Sequence, residues 1–183
     1  MGGFDTRPQT HRSDGTRRYF ITHDILGGGY GGHRFGDGLS AVDSHGSNCG
    51  TLAAEIVETT SAIRVLRSEL IPGSGGKGQH RGGLGMRRDY EMLSDDLFVS
   101  VFYQQGSDRT APWGTEGGEN GRPARAIVNP DGPEARVLSS KSIALPLRAG
   151  DIVRLESAGG GGWGDATQRP DAMTRTDRDN GYA

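Results

Sequence analysis

Leu97-Phe98-Val99-Ser100-Val101-Phe102-Tyr103 is the run that decides the fold, because every residue in it except Ser100 is apolar or aromatic. A short run of this kind reads as a central strand buried on both faces. Working outward, Met86–Leu93 precedes it, and Ala124–Asn129, Arg136–Leu147 and Ile152–Ser157 follow as further runs of strand-forming residues. Ser94-Asp95-Asp96, Pro130-Asp131-Gly132-Pro133 and Ala149-Gly150-Asp151 separate them as turn signals. Turns at a spacing of about ten residues favour antiparallel strands over a doubly wound sheet. The expected class is therefore α+β and β-rich: mostly antiparallel sheets, one short helix and long ordered glycine-rich loops. Leu52, Ile56, Ile63, Leu66 and Leu70 fall at helical spacing, but Thr59-Thr60-Ser61 interrupts them with poor helix formers. The spacing predicts a helix over about 51–59 and a strand from Ile63 to Ile71, although one continuous helix satisfies the period equally well.

Composition narrows the function classes. Glycine fills 32 of 183 positions, and Leu, Ile, Val and Phe together fill only 33. Low apolar content with high net charge would mean disorder, but the net charge is −2. A nucleic-acid partner would call for a basic excess that is missing. No run approaches the 18 apolar residues of a membrane span, and the N-terminus has no apolar signal region, so no membrane partner is expected. Cys49 stands alone, which rules out a disulfide within the chain and fits a reducing, cytoplasmic setting. Residues 1–18 read as a polar segment with nothing to build a core, 19–166 as the domain proper, and 167–183 as a polar tail.

Four glycine clusters lie at 27–32, 73–78 with 82–85, 114–121 and 159–164. Gly27-x-Gly29-x-x-Gly32 and Gly159-x-Gly161-x-x-Gly164 satisfy a dinucleotide fingerprint literally, but neither opens a helix inside a βαβ unit. Gly76-Lys77 fails the phosphate-loop pattern, because Gly78 sits where Ser or Thr must hold the metal. The plain expectation is that these glycines allow close backbone approach.

The clusters also resemble a known family. Gly28-Gly29-Tyr30-Gly31-Gly32-His33-Arg34-Phe35-Gly36-Asp37-Gly38 is similar to the start of the C-terminal region of the hydantoinase B/oxoprolinase family. The resemblance continues through His45-x-x-Asn48 and Glu55-Ile56-Val57-Glu58, and is strongest at Ser74-Gly75-Gly76-Lys77-Gly78-Gln79-His80-Arg81-Gly82-Gly83-Leu84-Gly85. It resumes at Pro112-Trp113-Gly114, Gly117-Gly118, Ser140-Lys141, Ala149-Gly150-Asp151 and Gly159-Gly160-Gly161-Gly162-Trp163-Gly164-Asp165. Ala53 and Gly73 depart from it, standing where the family has proline and an acidic residue. The resemblance implies a subunit or fragment of an ATP-dependent enzyme that hydrolyses cyclic amides such as hydantoins and 5-oxoproline. In that scheme a hydantoinase A-type partner activates the carbonyl by phosphorylation, and the B part acts on the activated intermediate. ATP and a divalent metal are then expected in partner polypeptides, with no cofactor in this chain. The expected partners are the A-type subunit and the missing N-terminal portion of hydantoinase B, and the chain alone is expected to be inactive. A structural subunit, a gene remnant and part of a ketone carboxylase are the alternatives.

Few side chains stand out for chemistry. Asp43, His45 and Asn48 offer an acid, a base and an amide within six residues, enough to polarise a carbonyl and move a proton. A turn in which Asp43 and Asn48 bond local backbone is the competing reading. Arg81 has the fork that can hold a phosphorylated intermediate, or it pins carbonyls of a glycine-rich turn. The five histidines show no zinc-type helical spacing, so no metal site is expected in this chain.

Overall fold

The computed structural model describes residues 2–11, 17–43, 49–95 and 97–183, with backbone alone for 2–11 and 17–19. His45, Asn48 and Asp96 lie outside the described residues. In chain order the strands are β1 (Gly2–His11), β2 (Arg17–Asp24), β3 (Ile63–Leu70), β4 (Met86–Met92), β5 (Leu97–Phe102), β6 (Arg125–Val128), β7 (Arg136–Val137), β8 (Lys141–Leu147) and β9 (Ile152–Glu156). Helix α1 (Ala54–Thr60) precedes β3, and α2 (Asp171–Asp179) follows β9 after a 3-10 turn at Ala166–Gln168. One sheet runs β2-β1-β5-β8 and the other β3-β4-β9-β6-β7, with every pairing antiparallel. The fold is the α+β, β-rich architecture that the turn spacing predicts.

Both sheets feed one apolar core. Leu97, Val99 and Val101 of β5 join Tyr90, Met92, Val153, Leu155 and Ala126 of the five-stranded sheet, with Val57 of α1. Each fully buried Val or Leu contributes about 1.5–3 kcal/mol. β5 is an inner strand, but only one of its faces is fully buried: Phe98 and Ser100 are half-buried and Phe102 is exposed. The apolar run therefore marks one fully buried face and a second that is only partly covered, rather than burial on both sides.

The helix question at 51–71 resolves into α1 and then β3. The hydroxyls of Thr59, Thr60 and Ser61 donate back to the carbonyls of Glu55, Ile56 and Val57 at 2.7, 2.6 and 2.5 Å. Such back-bonding competes with helix propagation, and Ser61 is already extended.

Three further sequence readings are changed by the structure. Residues 2–11, read only as a polar segment, form a strand: β1 is inserted between β2 and β5 by main-chain pairing. Arg136–Leu147 is two strands, since the chain leaves the five-stranded sheet after β7 and enters the four-stranded sheet at β8. A second helix, α2, forms within the polar tail.

The five-stranded sheet carries two cross-strand rows of charges of alternating sign. Glu69, Arg87, Glu156 and Arg122 are linked at 3.2, 2.7 and 2.7 Å. Arg67, Asp89, Arg154 and Asp131 are linked at 3.7, 2.9 and 3.0 Å. Register dictates the rows, because Glu69 faces Arg87, which faces Glu156, while Arg67 faces Asp89, which faces Arg154.

The glycine clusters assemble into a bundle of extended segments around residues 158–164. The N–H groups of Gly159, Gly160, Gly162, Trp163 and Gly164 donate to the carbonyls of Arg122, Gly83, Glu119, His80 and Thr115. The carbonyls of Ala158, Gly160 and Gly161 accept from Gly29, Gly76 and Gly32. A sheet strand has neighbours on two sides, whereas this segment is bonded from several, and only a chain without side chains can be approached that way. A Cβ on Gly160 would lie 1.9 Å from the Tyr30 carbonyl oxygen, and one on Gly29 would lie 1.9 Å from that of Gly83. The two fingerprint matches are therefore bundle segments packed on one another, and neither opens an α-helix.

Candidate functional site

At one end of the bundle the glycine loops meet the segment that carries α2, and charged side chains converge there. A reciprocal pair of bonds between His33 and Gly36, both 3.0 Å, closes a tight turn that presents Asp37. Asp37 accepts the Arg81 N–H at 2.9 Å and a bidentate fork from Arg169, 2.8 Å to each oxygen. Arg169 reaches on to Asp177 at 2.6 Å, and Asp177 accepts from Arg81 Nε at 2.9 Å. Asp37, Arg169, Asp177 and Arg81 thus form a chain of alternating charge joining the bundle to α2. Tyr182 completes it, with its ring 5.1 Å from the Arg81 guanidinium and its carbonyl accepting from Gly73 at 2.9 Å. Partial burial opposes ionisation of Asp37, but Arg169 and the Arg81 N–H outweigh it and hold the carboxyl below its ordinary value of 3.8. Asp37 is therefore a fixed anion near neutral pH and no general acid.

The His80 ring lies beside Trp163, with centroids 5.8 Å apart. Its Nδ1 is buried without a hydrogen-bond partner, 3.8 Å from Asp37 Oδ1. Beside the charge chain opens a cleft of about 510 Å3, lined on one side by Gly73, Gly75, Lys77 and Gly78 and on the other by Asp171 and Thr174 of α2. Arg81 and Arg169 also face into it.

Arg81 thus lies at the cleft, where its Nη1 also donates to the Gly82 carbonyl at 3.1 Å. Asp43 lies elsewhere and accepts the Cys49 N–H at 2.9 Å. Its two companions, His45 and Asn48, fall outside the described residues. Asp24 is buried in the core, taking Arg88 Nη1 at 2.6 Å and the Tyr90 hydroxyl. Burial, then the Asp24 charge, pushes the Tyr90 hydroxyl far above its ordinary range. Among the described residues no group of three His, Cys, Asp or Glu side chains is placed to hold a metal ion, and no helix is long and apolar enough to cross a membrane. Sequence reasoning missed Arg169 and Asp177, which sit in a polar tail 132 and 96 positions from Asp37 and Arg81 and carry no local signal. Lys77 was visible inside the strongest glycine motif.

The hydantoinase B/oxoprolinase family model matches residues 1–166, a stretch that takes in both sheets and the whole bundle. The chain belongs to the hydantoinase B/oxoprolinase family. It is 32% identical over 162 residues to a 5-oxoprolinase of Pestalotiopsis fici, covering 85% of this chain and 12% of that one. It is 33% identical over 135 residues to the caprolactamase subunit beta of Pseudomonas jessenii, covering 69% of this chain and 22% of that one. The crystal structure of the ATP-dependent caprolactamase from Pseudomonas jessenii has the same fold, with a TM-score of 0.80 at 22% identity, over 99% of this chain and 31% of that one. The caprolactamase relative is a subunit, and the chain spans about a quarter of the length of the first curated relatives it matches.

Proposed function

We infer that this hydantoinase B/oxoprolinase-family chain works as the glycine-bundle unit of an enzyme that opens small cyclic amides in an ATP-dependent reaction. The observation that carries this reading is the family match over the sheets and bundle together, in a chain whose relatives include a 5-oxoprolinase and a caprolactamase. In this reaction an A-type partner, holding ATP and a divalent metal, transfers a phosphoryl group to the amide oxygen and releases ADP. Water then adds at the activated carbon, the ring C–N bond breaks, phosphate leaves, and an amino acid is formed. This chain supplies a rigid wall beside that chemistry. The open face of the four-stranded sheet, with Ile21, Phe102 and Ile143 exposed at 77%, 44% and 84%, packs against the rest of a hydantoinase B-type polypeptide. A reducing, cytoplasmic setting suits the ATP requirement and the exposed Cys49.

The test is reconstitution: the 183-residue chain is mixed with a hydantoinase A-type subunit, the N-terminal portion of a hydantoinase B, ATP and 5-oxoproline. ADP and glutamate are expected only from the complete mixture. Turnover by the chain with ATP alone, or none from the complete mixture of folded components, overturns the proposal.

A further inference from the structure

The cleft between residues 73–78 and α2 has the donor set of an oxyanion site. The main-chain N–H groups of Gly75, Lys77 and Gly78, all of which line it, have no acceptor among the described residues. Gly78 is buried, so its N–H loses water without gaining a protein partner, which is costly unless something else occupies the position. The segment is held in place around these groups: Gly76 N–H donates to the Gly160 carbonyl at 2.8 Å, and the Lys77 carbonyl accepts from Glu119 at 2.7 Å. Main-chain N–H groups held in place without an acceptor, beside two cationic side chains, are donors that an anion can use. Lys77 enters no ion pair among the described residues. Arg81 is anchored through Nε and Nη1, which leaves Nη2 without an acceptor among the described residues. Of the aspartates of α2 that line the cleft, Asp177 is neutralised by Arg81 and Arg169, and Asp171 has no partner among the described residues.

We propose that this cleft binds a phosphate group, with the N–H groups of Gly75, Lys77 and Gly78, Lys77 Nζ and Arg81 Nη2 as its donors. A tetrahedral oxyanion uses such a spread of donors fully, and charge-assisted bonds from Lys and Arg are the strong ones. Only the source of the phosphate rests on the cyclic-amide reading, where it is either the phosphoryl group of the activated intermediate or the phosphate released on hydrolysis.

The experiment titrates the 15N-labelled 183-residue chain and follows the amide signals of Gly75, Lys77 and Gly78. The probes are inorganic phosphate, acetyl phosphate and acetate. Saturable shifts with inorganic phosphate are expected, weakened about tenfold in Lys77→Ala, the loss of one charged contact, and tightened in Asp171→Asn. Tighter binding of acetyl phosphate identifies the intermediate's phosphoryl group as the ligand, and equal or weaker binding identifies released phosphate. No saturable shift, equal binding of acetate, or shifts indifferent to both substitutions would each overturn the proposal. Binding is read without turnover, so a phosphate-binding chain that fails in reconstitution separates this site from the proposed reaction.

Discussion

Replacing Gly160 with alanine tests the bundle at its centre. The new Cβ would stand 1.9 Å from the Tyr30 oxygen and 2.3 Å from its carbonyl carbon, where real contacts do not fall below 3.0 Å. Main chain meets main chain there, so no side chain can rotate away, and the segments must part by more than 1 Å. Three backbone bonds cross that contact: Gly160 to Gly83 at 2.9 Å, Gly76 to Gly160 at 2.8 Å and Gly83 to Tyr30 at 2.8 Å. At about 1 kcal/mol each they put about 3 kcal/mol at risk. Overpacking adds about 2 kcal/mol, and the stiffer unfolded chain returns about 0.7 kcal/mol. The expected net loss is about 4 kcal/mol, which for a domain of this size lowers the melting temperature by roughly 12 °C. Gly50→Ala is the control, because nothing lies within 4 Å of its Cβ position, and it should match wild type or gain about 0.5 kcal/mol. Differential scanning calorimetry on the two variants and wild type decides the matter. If Gly160→Ala melts within about 3 °C of wild type, the bundle is not the close-packed interior described above.

Arg169→Ala takes the guanidinium away from both Asp37 and Asp177, at a cost of roughly 2–3 kcal/mol for ions this sheltered. Amide exchange in Asp171–Asp179 should quicken more than in β4, and equal changes in both would contradict the pinning of α2. Asp37 has a folded value below its ordinary 3.8, so the stability it lends is complete above pH 3.8 and disappears as pH falls through the lowered value. The stability difference between wild type and Asp37→Asn, measured by urea unfolding, should therefore shrink on acidification, and a difference that grows would refute the assignment. Asp24→Ala strands the Arg88 guanidinium in the core, both groups being 1% exposed, and should cost about 3–5 kcal/mol. A loss under about 1 kcal/mol, the scale of an exposed pair, would show that the pair is solvated.

The parts of the fold that could be read from the sequence are those built by side chains. β3, β4, β5, β6 and β9 each coincide with a run of strand-forming residues, and the hydroxyls at 59–61 marked the end of α1. β1 escaped notice because GGFDTRPQTH has one apolar residue and no alternation, while its place in the sheet is fixed by main-chain pairing. The break between β7 and β8 is hidden because Val137 and Leu138 continue the apolar run while the chain changes sheets. α2 shows no apolar stripe; its buried residue is Asp177, and ion pairs hold it. Arg81 was legible inside a glycine motif, but its partners on the far side of the cleft were not, since charge pairing over such separations leaves no periodic trace.

The central segment of the bundle also dictates an order of assembly. Its partners come from three earlier parts of the chain, and neighbouring Ser157 bonds to Gly27, 130 positions away. Contacts of such long range carry their loop-closure cost before any bond repays it, which slows folding. During synthesis the clusters at 27–32, 73–85 and 114–121 leave the ribosome with their common partner still unmade. Their exposed main-chain groups are solvated by water until residues 158–164 emerge and displace it. The interior of this domain therefore cannot close completely before residues 158–164 are made, and a nascent chain that lacks them holds its glycine clusters without their common partner.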